Sequence, residues 1–247
     1  VGKARELFEA ILGSRHGLTP GEQLRLEAET ARANSRPADA AASLLALHRL
    51  VPDDVEVAYD LIDAQIQARQ AGAAAMVLRG LDTLSSEGSS DPRWHLAQAQ
   101  LAIMQFRLEE AGAAAERALA LAERYGLDEL AAMAQLVMVG VDRRRNDPHA
   151  AGQRLDRLLA GTLTPAQRVR TLLQQGNLLR DTGDYDRAEQ AIGQAIELAT
   201  ELGNDAQQML ARVELHTVKS LRSHSDETLA DLEMLEPRIV DLDLQLL

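Results

Sequence analysis

An alanine in the same apolar sequence context occurs five times along the chain, as Ala40, Ala74, Ala111, Ala151 and Ala188. The gaps between these alanines are 34, 37, 40 and 37 residues. A period in this range is typical of helical hairpins that stack in series, because no single hairpin can bury its apolar face without a neighbour. The spacing therefore predicts a repeat array.

The composition favours helices throughout this array. Aromatic residues make up only 2% of the 247 residues, and the β-branched runs that strands prefer are scarce. We predict an all-α fold, a right-handed α-solenoid of stacked antiparallel hairpins that forms one domain over residues 1–247. The predicted repeats are 21–54, 55–88, 92–126, 129–161 and 168–203, followed by a degenerate unit at 205–240; residues 1–15 are predicted to be the second helix of a truncated preceding repeat, in a fragment of a longer protein.

Helix ends are marked by capping residues. Thr19-Pro20-Gly21-Glu22 and Thr164-Pro165-Ala166-Gln167 each combine a capping hydroxyl, a proline at the first helical position and a Glu or Gln that completes a capping box. Further helix starts are predicted after Asp54, Asp91 and Asp147, and left-handed helix ends at Gly126, Gly161 and Gly203.

Several function classes are disfavoured by composition and motif content. The net charge of −12 argues against nucleic-acid binding, and no apolar run approaches the roughly 20 residues of a membrane-spanning helix. The chain has no cysteine, its six histidines show no metal-binding spacing, and no phosphate loop or nucleophile elbow occurs. We therefore expect no enzymatic activity, cofactor, metal site, nucleic-acid binding or membrane insertion.

Residues 169–204 resemble a tetratricopeptide repeat. The resemblance is carried by Leu172, Gly176-Asn177, Leu179, Gly183-Asp184-Tyr185, Ala188, Ala195-Ile196 and Leu198. Segment 92–126 aligns with this repeat without gaps at an offset of 77 residues, which places Ala99 on Gly176 and Phe106 on Gly183. Small residues at such positions allow two helices to cross closely.

Two shorter stretches are similar to repeat regions of multidomain bacterial proteins. Leu198-Ala199-Thr200-Glu201-Leu202-Gly203 resembles repeats of signalling proteins, and the segment from Leu18 to Ala28 resembles tetratricopeptide regions attached to winged-helix transcription regulators and serine/threonine kinases. These resemblances imply that the chain is the regulatory or sensory part of such a protein.

The tetratricopeptide resemblance also implies a binding groove, because the first helix of each hairpin lines the concave face in that family. Projecting the pattern of the best repeat, 168–203, places Arg170, Leu173, Asn177 and Arg180 on this face. The same positions of the earlier repeats are Glu56, Tyr59, Asp63 and Ile66 in 55–88; Arg93, Leu96, Gln100 and Ile103 in 92–126; and Met133, Leu136, Gly140 and Arg143 in 129–161. The groove is thus expected to be acidic in its amino-side half and basic in its carboxyl-side half.

From this pattern we predict that Arg143, Arg170, Asn177 and Arg180 hold a protein or peptide partner that bears carboxylates, with Arg93, Gln100 and Leu173 also lining the groove. The arginines could instead pair with Asp142, Asp181 and Asp184 along the same hairpins. Two other functions stay open. One is small-molecule sensing, similar to regulators of the maltose-operon-activator type. The other is oligomerisation through Leu229, Leu232, Leu235, Ile239 and Leu242.

Overall fold

The structure is a computed structural model that describes residues 17–84 and 90–223. Eleven α-helices and no strand occur in these two stretches. The helices are α1 (Pro20–Ala33), α2 (Pro37–Leu50), α3 (Val55–Gln67), α4 (Ala71–Leu84), α5 (Pro92–Met104), α6 (Leu108–Tyr125), α7 (Asp128–Arg144), α8 (Pro148–Ala160), α9 (Pro165–Asp181), α10 (Tyr185–Glu201) and α11 (Asp205–Ser223).

The helices pack consecutively, and each unit of the chain has its own apolar clusters. Unit 1 is Val1–Ala131 and unit 2 is Ala132–Leu247. In unit 1, consecutive helices from α1 through α6 contact one another, and α3 also contacts α5. In unit 2, consecutive helices from α8 through α11 contact one another, and α9 also contacts α11. This arrangement, helical hairpins packed in series, confirms the predicted all-α helical-repeat solenoid.

The predicted caps are present at five of the eleven helix starts in the described residues. Thr19 and Thr164 both form complete capping boxes, with Glu22 and Gln167 respectively. The Asp54, Asp91 and Asp147 carboxylates accept hydrogen bonds from backbone N–H groups in the first turns of α3, α5 and α8. Gly126 and Gly203 are left-handed, as predicted. The prediction for Gly161 is wrong, because this residue is extended and leads the chain directly toward the Thr164 cap.

All five hairpins close with the same turn, although only one has glycine in it. In the α9–α10 hairpin, Gly183 has a φ of 83°, its N–H donates to Arg180 C=O (3.0 Å), and the Asp184 N–H donates to Leu179 C=O (2.9 Å). The other four hairpins make the same two bonds, with a non-glycine residue at the left-handed position: Ser35, Arg69, Phe106 and Asn146. We call these five the turn residues. Each lies five residues before one of the recurring alanines.

The recurring small residues lie where the helices of a hairpin approach most closely. Ala40, Ala74, Ala111, Ala151 and Ala188 are all 0% exposed. A Cβ atom on Gly176 would lie 2.4 Å from Ile192 Cγ1, closer than any ordinary carbon contact. The interpretation as a close crossing is therefore confirmed for Gly176 and Ala188, and the other recurring alanines are confirmed as fully buried.

Some predictions concern residues outside the described part of the chain. These are the helix at 1–15, the portion of the degenerate repeat beyond Ser223, and the oligomerisation surface formed by Leu229, Leu232, Leu235, Ile239 and Leu242. They stay predictions.

Candidate functional site

The predicted groove residues lie on the first helix of each hairpin, at four positions counted back from the turn residue. In α9 these positions are Arg170, Leu173, Asn177 and Arg180, which share one helix face. Three of the predicted residues, Arg93, Arg143 and Arg180, make polar contacts between the first helices of neighbouring hairpins. Among the predicted positions themselves, the structure brings Arg93 into contact with Glu56 and Tyr59.

In unit 1, Arg93 brings α3 and α5 together. Its Nη1 donates to Glu56 Oε2 (2.8 Å), and its Nη2 donates to Asp91 Oδ2 (2.9 Å). The guanidinium also lies over the Tyr59 ring, 4.3 Å from the ring centroid. Glu56 and Tyr59 are groove positions of one hairpin and Arg93 is a groove position of the next. Gln100 is half-buried on the same helix as Arg93.

This cluster shifts the pKa values of Tyr59 and Arg93. Burial raises the pKa of the Tyr59 phenol, and the Asp91 carboxylate raises it further, so the phenol stays neutral. Burial alone would lower the pKa of Arg93, but the hydrogen bonds that Arg93 donates to Asp91 and Glu56 outweigh this effect and raise that pKa above its usual value. Arg93 is thus a permanent cation that already has two carboxylate partners.

In unit 2, four alternating charges connect α7, α9 and α11. Arg143 Nη2 lies 2.5 Å from Asp181 Oδ2, and the other oxygen of the same carboxylate accepts from Arg180 Nη2 at 3.1 Å. Arg180 Nη1 in turn donates to Glu214 Oε2 at 2.5 Å. We call Arg143, Asp181, Arg180 and Glu214 the charge ladder. The formal charges of these four residues sum to zero, so the charges of both arginines are compensated within the protein.

The ladder arginines occupy a position that recurs in unit 1. Arg143 and Arg180 each lie three residues before a turn residue, and so does Arg32. The Arg32 guanidinium donates to Asp60 Oδ1 (3.2 Å) and to the Asp60 C=O (3.0 Å), which joins α1 to α3. An arginine at this position therefore bridges neighbouring first helices. Sequence reasoning did not identify Arg32, Asp60, Glu214 or Gln174, whose Oε1 accepts a hydrogen bond from Arg143 Nη1 (3.0 Å). The recurring distance to the turn could have found Arg32.

Arg170 differs from the bridging arginines, because it is exposed and makes no ion pair or hydrogen bond with any residue in 17–84 or 90–223. Leu173, one turn further along α9, is 7% exposed and packs in the unit 2 core. Asn177 is half-buried, and its Oδ1 atom is shielded from solvent without a hydrogen-bond partner in the described chain. Arg170 and Asn177 thus offer unsatisfied polar groups, while Arg143 and Arg180 have partners.

The acidic residues weighed as partners are distributed as follows. Asp142 pairs with Arg154 Nε at 2.7 Å, and Asp184 caps α10 and pairs with Arg187 at 3.3 Å. In the described residues, no group of three histidine or acidic side chains is arranged to hold a metal ion. No helix of the described part is long and apolar enough to cross a membrane.

Comparison with known proteins gives no family assignment: no family model matches the chain, and neither does any curated protein.

Proposed function

We propose that this chain is a protein–protein interaction module, and that the first-helix face of unit 2 binds an extended peptide segment that carries a carboxylate. Arg170 supplies the charge that recognises the carboxylate, and Asn177 bonds the peptide backbone. The bridging arginines hold the neighbouring helices in position. The resemblance to tetratricopeptide regions of bacterial regulators and kinases supports a regulatory role for such binding.

The observation that carries this proposal is the pair of unsatisfied polar groups on one face of α9. A shielded amide oxygen without a partner costs about 1–3 kcal/mol. If the half-buried Asn177 side chain turns outward on binding, a peptide N–H can donate to this oxygen and remove that cost. The exposed Arg170 guanidinium can make charge-assisted hydrogen bonds that no side chain of the described protein provides.

The spacing of the two residues defines the length of the bound segment. Arg170 and Asn177 are seven residues apart in a helix, which is about 10 Å along the axis. An extended peptide covers about 10 Å with three residues. The proposal therefore requires a backbone contact about three residues from the carboxylate.

A displayed library of random peptides, selected on the immobilised protein, tests this proposal. The selected peptides should be enriched in Asp and Glu or should bind through a free C-terminal carboxylate. Arg170→Glu should weaken their binding by about tenfold or more, because it replaces an attraction with a repulsion. Asn177→Ala should weaken binding by a smaller factor.

Arg168 provides the matched control, because it is also an exposed arginine of α9 and lies two residues from Arg170, on a different face of the helix. Arg168→Glu makes the same change in charge and should leave binding unchanged. Equal losses in the two variants would indicate a response to net charge alone and would contradict the proposal. Selection of peptides whose binding ignores Arg170 would contradict it as well.

A further inference from the structure

Unit 1 has an open apolar cleft at the end of the hairpins where α3, α5 and α7 begin. The cleft has a volume of about 620 Å³, and residues from segments 55–59, 81, 90–93 and 125–130 line it. Tyr59, Leu81 and Leu130 contribute deeper parts of its wall, with Leu81 only 4% exposed. A volume of this size is enough to hold one or two large apolar side chains.

The rim of the cleft is apolar and exposed to solvent. Val55, Tyr125 and Leu127 are 36%, 51% and 40% exposed, although each is a large hydrophobic residue. Leu50 and Val51, shortly before Val55 in the chain, are exposed too. Exposed apolar side chains around an apolar depression are typical of a surface that another chain covers. A wide rim of this kind fits a macromolecular partner better than an enclosed small ligand.

The charge around this rim identifies the partner's chemistry. Segments 50–59, 90–93 and 123–130 together hold seven carboxylates and two guanidinium groups, those of Arg93 and Arg124. Helix dipoles do not offset this excess, because α2 and α6 end close to where α3 and α7 begin and their opposite partial charges cancel. Within the wall of the cleft, the Tyr59 ring and the Asp91 carboxylate already contact the guanidinium group of Arg93, which shows that these two groups can hold a cation.

We infer that this cleft is a second docking site, which takes a basic amphipathic segment of a partner protein. An apolar or aromatic side chain of that segment fills the cleft, and its Lys or Arg residues face the surrounding carboxylates. This inference does not depend on the site proposed in unit 2, which has the opposite charge preference.

Synthetic helix-forming peptides without tryptophan test this docking site on the full chain. One peptide has Leu and Phe on one face and Lys on the other; a second has every Lys replaced by Glu; a third keeps Lys but has Gln on the apolar face. Trp94 is the single tryptophan of the chain and packs in the same cluster as Tyr59 and Leu81, so its fluorescence reports binding. The basic amphipathic peptide should bind and shift this emission, and the other two should bind at least about tenfold more weakly.

Variants of the rim locate the binding. The double variant Tyr125→Ala/Leu127→Ala should weaken binding of the basic peptide by about tenfold, because it removes apolar contact area at the rim. Phe106→Ala is the control, since Phe106 is 82% exposed and lies before the other end of the 18-residue α6, about 27 Å away. This control should bind normally, as should Arg170→Glu.

If the Tyr125→Ala/Leu127→Ala variant folds poorly, variants that change only charge still test where the basic peptide binds. Asp128→Asn/Glu129→Gln removes two carboxylates from the first turn of α7 and should weaken binding several-fold, with a smaller dependence on salt. Glu109→Gln/Glu110→Gln makes the same change in the first turn of α6 and should have little effect. Equal binding of the Lys and Glu peptides, or equal losses in each variant and its control, would overturn the inference.

Discussion

Units 1 and 2 are built from the same hairpin and carry different surfaces. In both units, the alanine five residues after the turn residue is fully buried, and the turn makes the same two backbone hydrogen bonds. At the groove positions the units diverge. In unit 1, Arg93 is held between two carboxylates beside an apolar cleft, whereas unit 2 has a neutral charge ladder and the unpaired Arg170.

This difference shows which positions of the repeat are free to acquire a function. Positions that face the second helix of the same hairpin must stay small or apolar, because the packing leaves no room for another side chain. Positions on the outer face of the first helix have no such restriction, so two units of similar architecture can carry different charges on this face.

The largest effect is expected from overpacking the shared alanine position in each unit. Ala188→Leu in unit 2 and Ala74→Leu in unit 1 should each lower the free energy of unfolding by about 3 kcal/mol, because both alanines are 0% exposed. Hydrogen exchange should accelerate most in the helices that contact the substituted hairpin. Uniform acceleration along the chain would contradict serial packing.

A second, smaller loss is expected at the closest helix crossing in unit 2. Gly176→Ala should destabilise by about 2 kcal/mol, because its Cβ would lie 2.4 Å from Ile192 Cγ1, despite the better helix propensity of alanine. The corresponding residues in the α5–α6 hairpin are Ala99 and Ala115. The double variant Gly176→Ala/Ile192→Ala copies that pair and should cost less than the sum of the two single variants in urea unfolding.

A smaller effect on stability, together with a change in peptide binding, is expected from removing the Asp181 carboxylate, which Arg143 and Arg180 share. Asp181→Asn should lower the free energy of unfolding by only about 1 kcal/mol, since Asp181 is 43% exposed. It also removes a negative charge from the helix that carries the proposed carboxylate site, so carboxylate peptides should bind several-fold more tightly. Asp156→Asn, at an exposed aspartate of α8, is the control and should change neither quantity. Weaker peptide binding by Asp181→Asn would contradict the proposed role of this face.

The smallest effect concerns the turn residues. Phe106→Gly should stabilise the protein by about 0.5–1 kcal/mol, because phenylalanine is strained at a φ of 58°. Gly183→Ala should destabilise by a similar amount, since Gly183 has a φ of 83°. Thermal melting of the two variants should therefore shift in opposite directions, and shifts of the same sign would show that the turns are not equivalent.

The sequence predicted the hairpin core because its signals are local. The recurring alanines and the two capping boxes follow from spacing and residue type alone. The left-handed turn at Phe106 could not be predicted in this way, because phenylalanine disfavours that conformation and the closure of the hairpin imposes it. Asparagine tolerates the left-handed conformation, so the turn at Asn146 carried a local signal that the alignment on Gly183 did not use.

The candidate sites were only partly predictable for a related reason. The position of Arg143 was predicted, but its partner Asp181 lies 38 residues away and is selected by the lateral packing of first helices. The cleft combines four segments that are spread over residues 55–130, and no spacing rule joins them. Pairing of the arginines with Asp181 was one of the alternatives that the sequence left open, and the packing of neighbouring helices decides it for Arg143 and Arg180.

The most direct test of the account is a hydrogen-exchange footprint of a selected carboxylate peptide on the full chain. The account predicts slower exchange in α9, between Arg170 and Arg180, with α10 unchanged and with the protection lost in Arg170→Glu. Protection confined to α10, or protection of α9 that persists in Arg170→Glu, would contradict the claim that the first helices form the binding face.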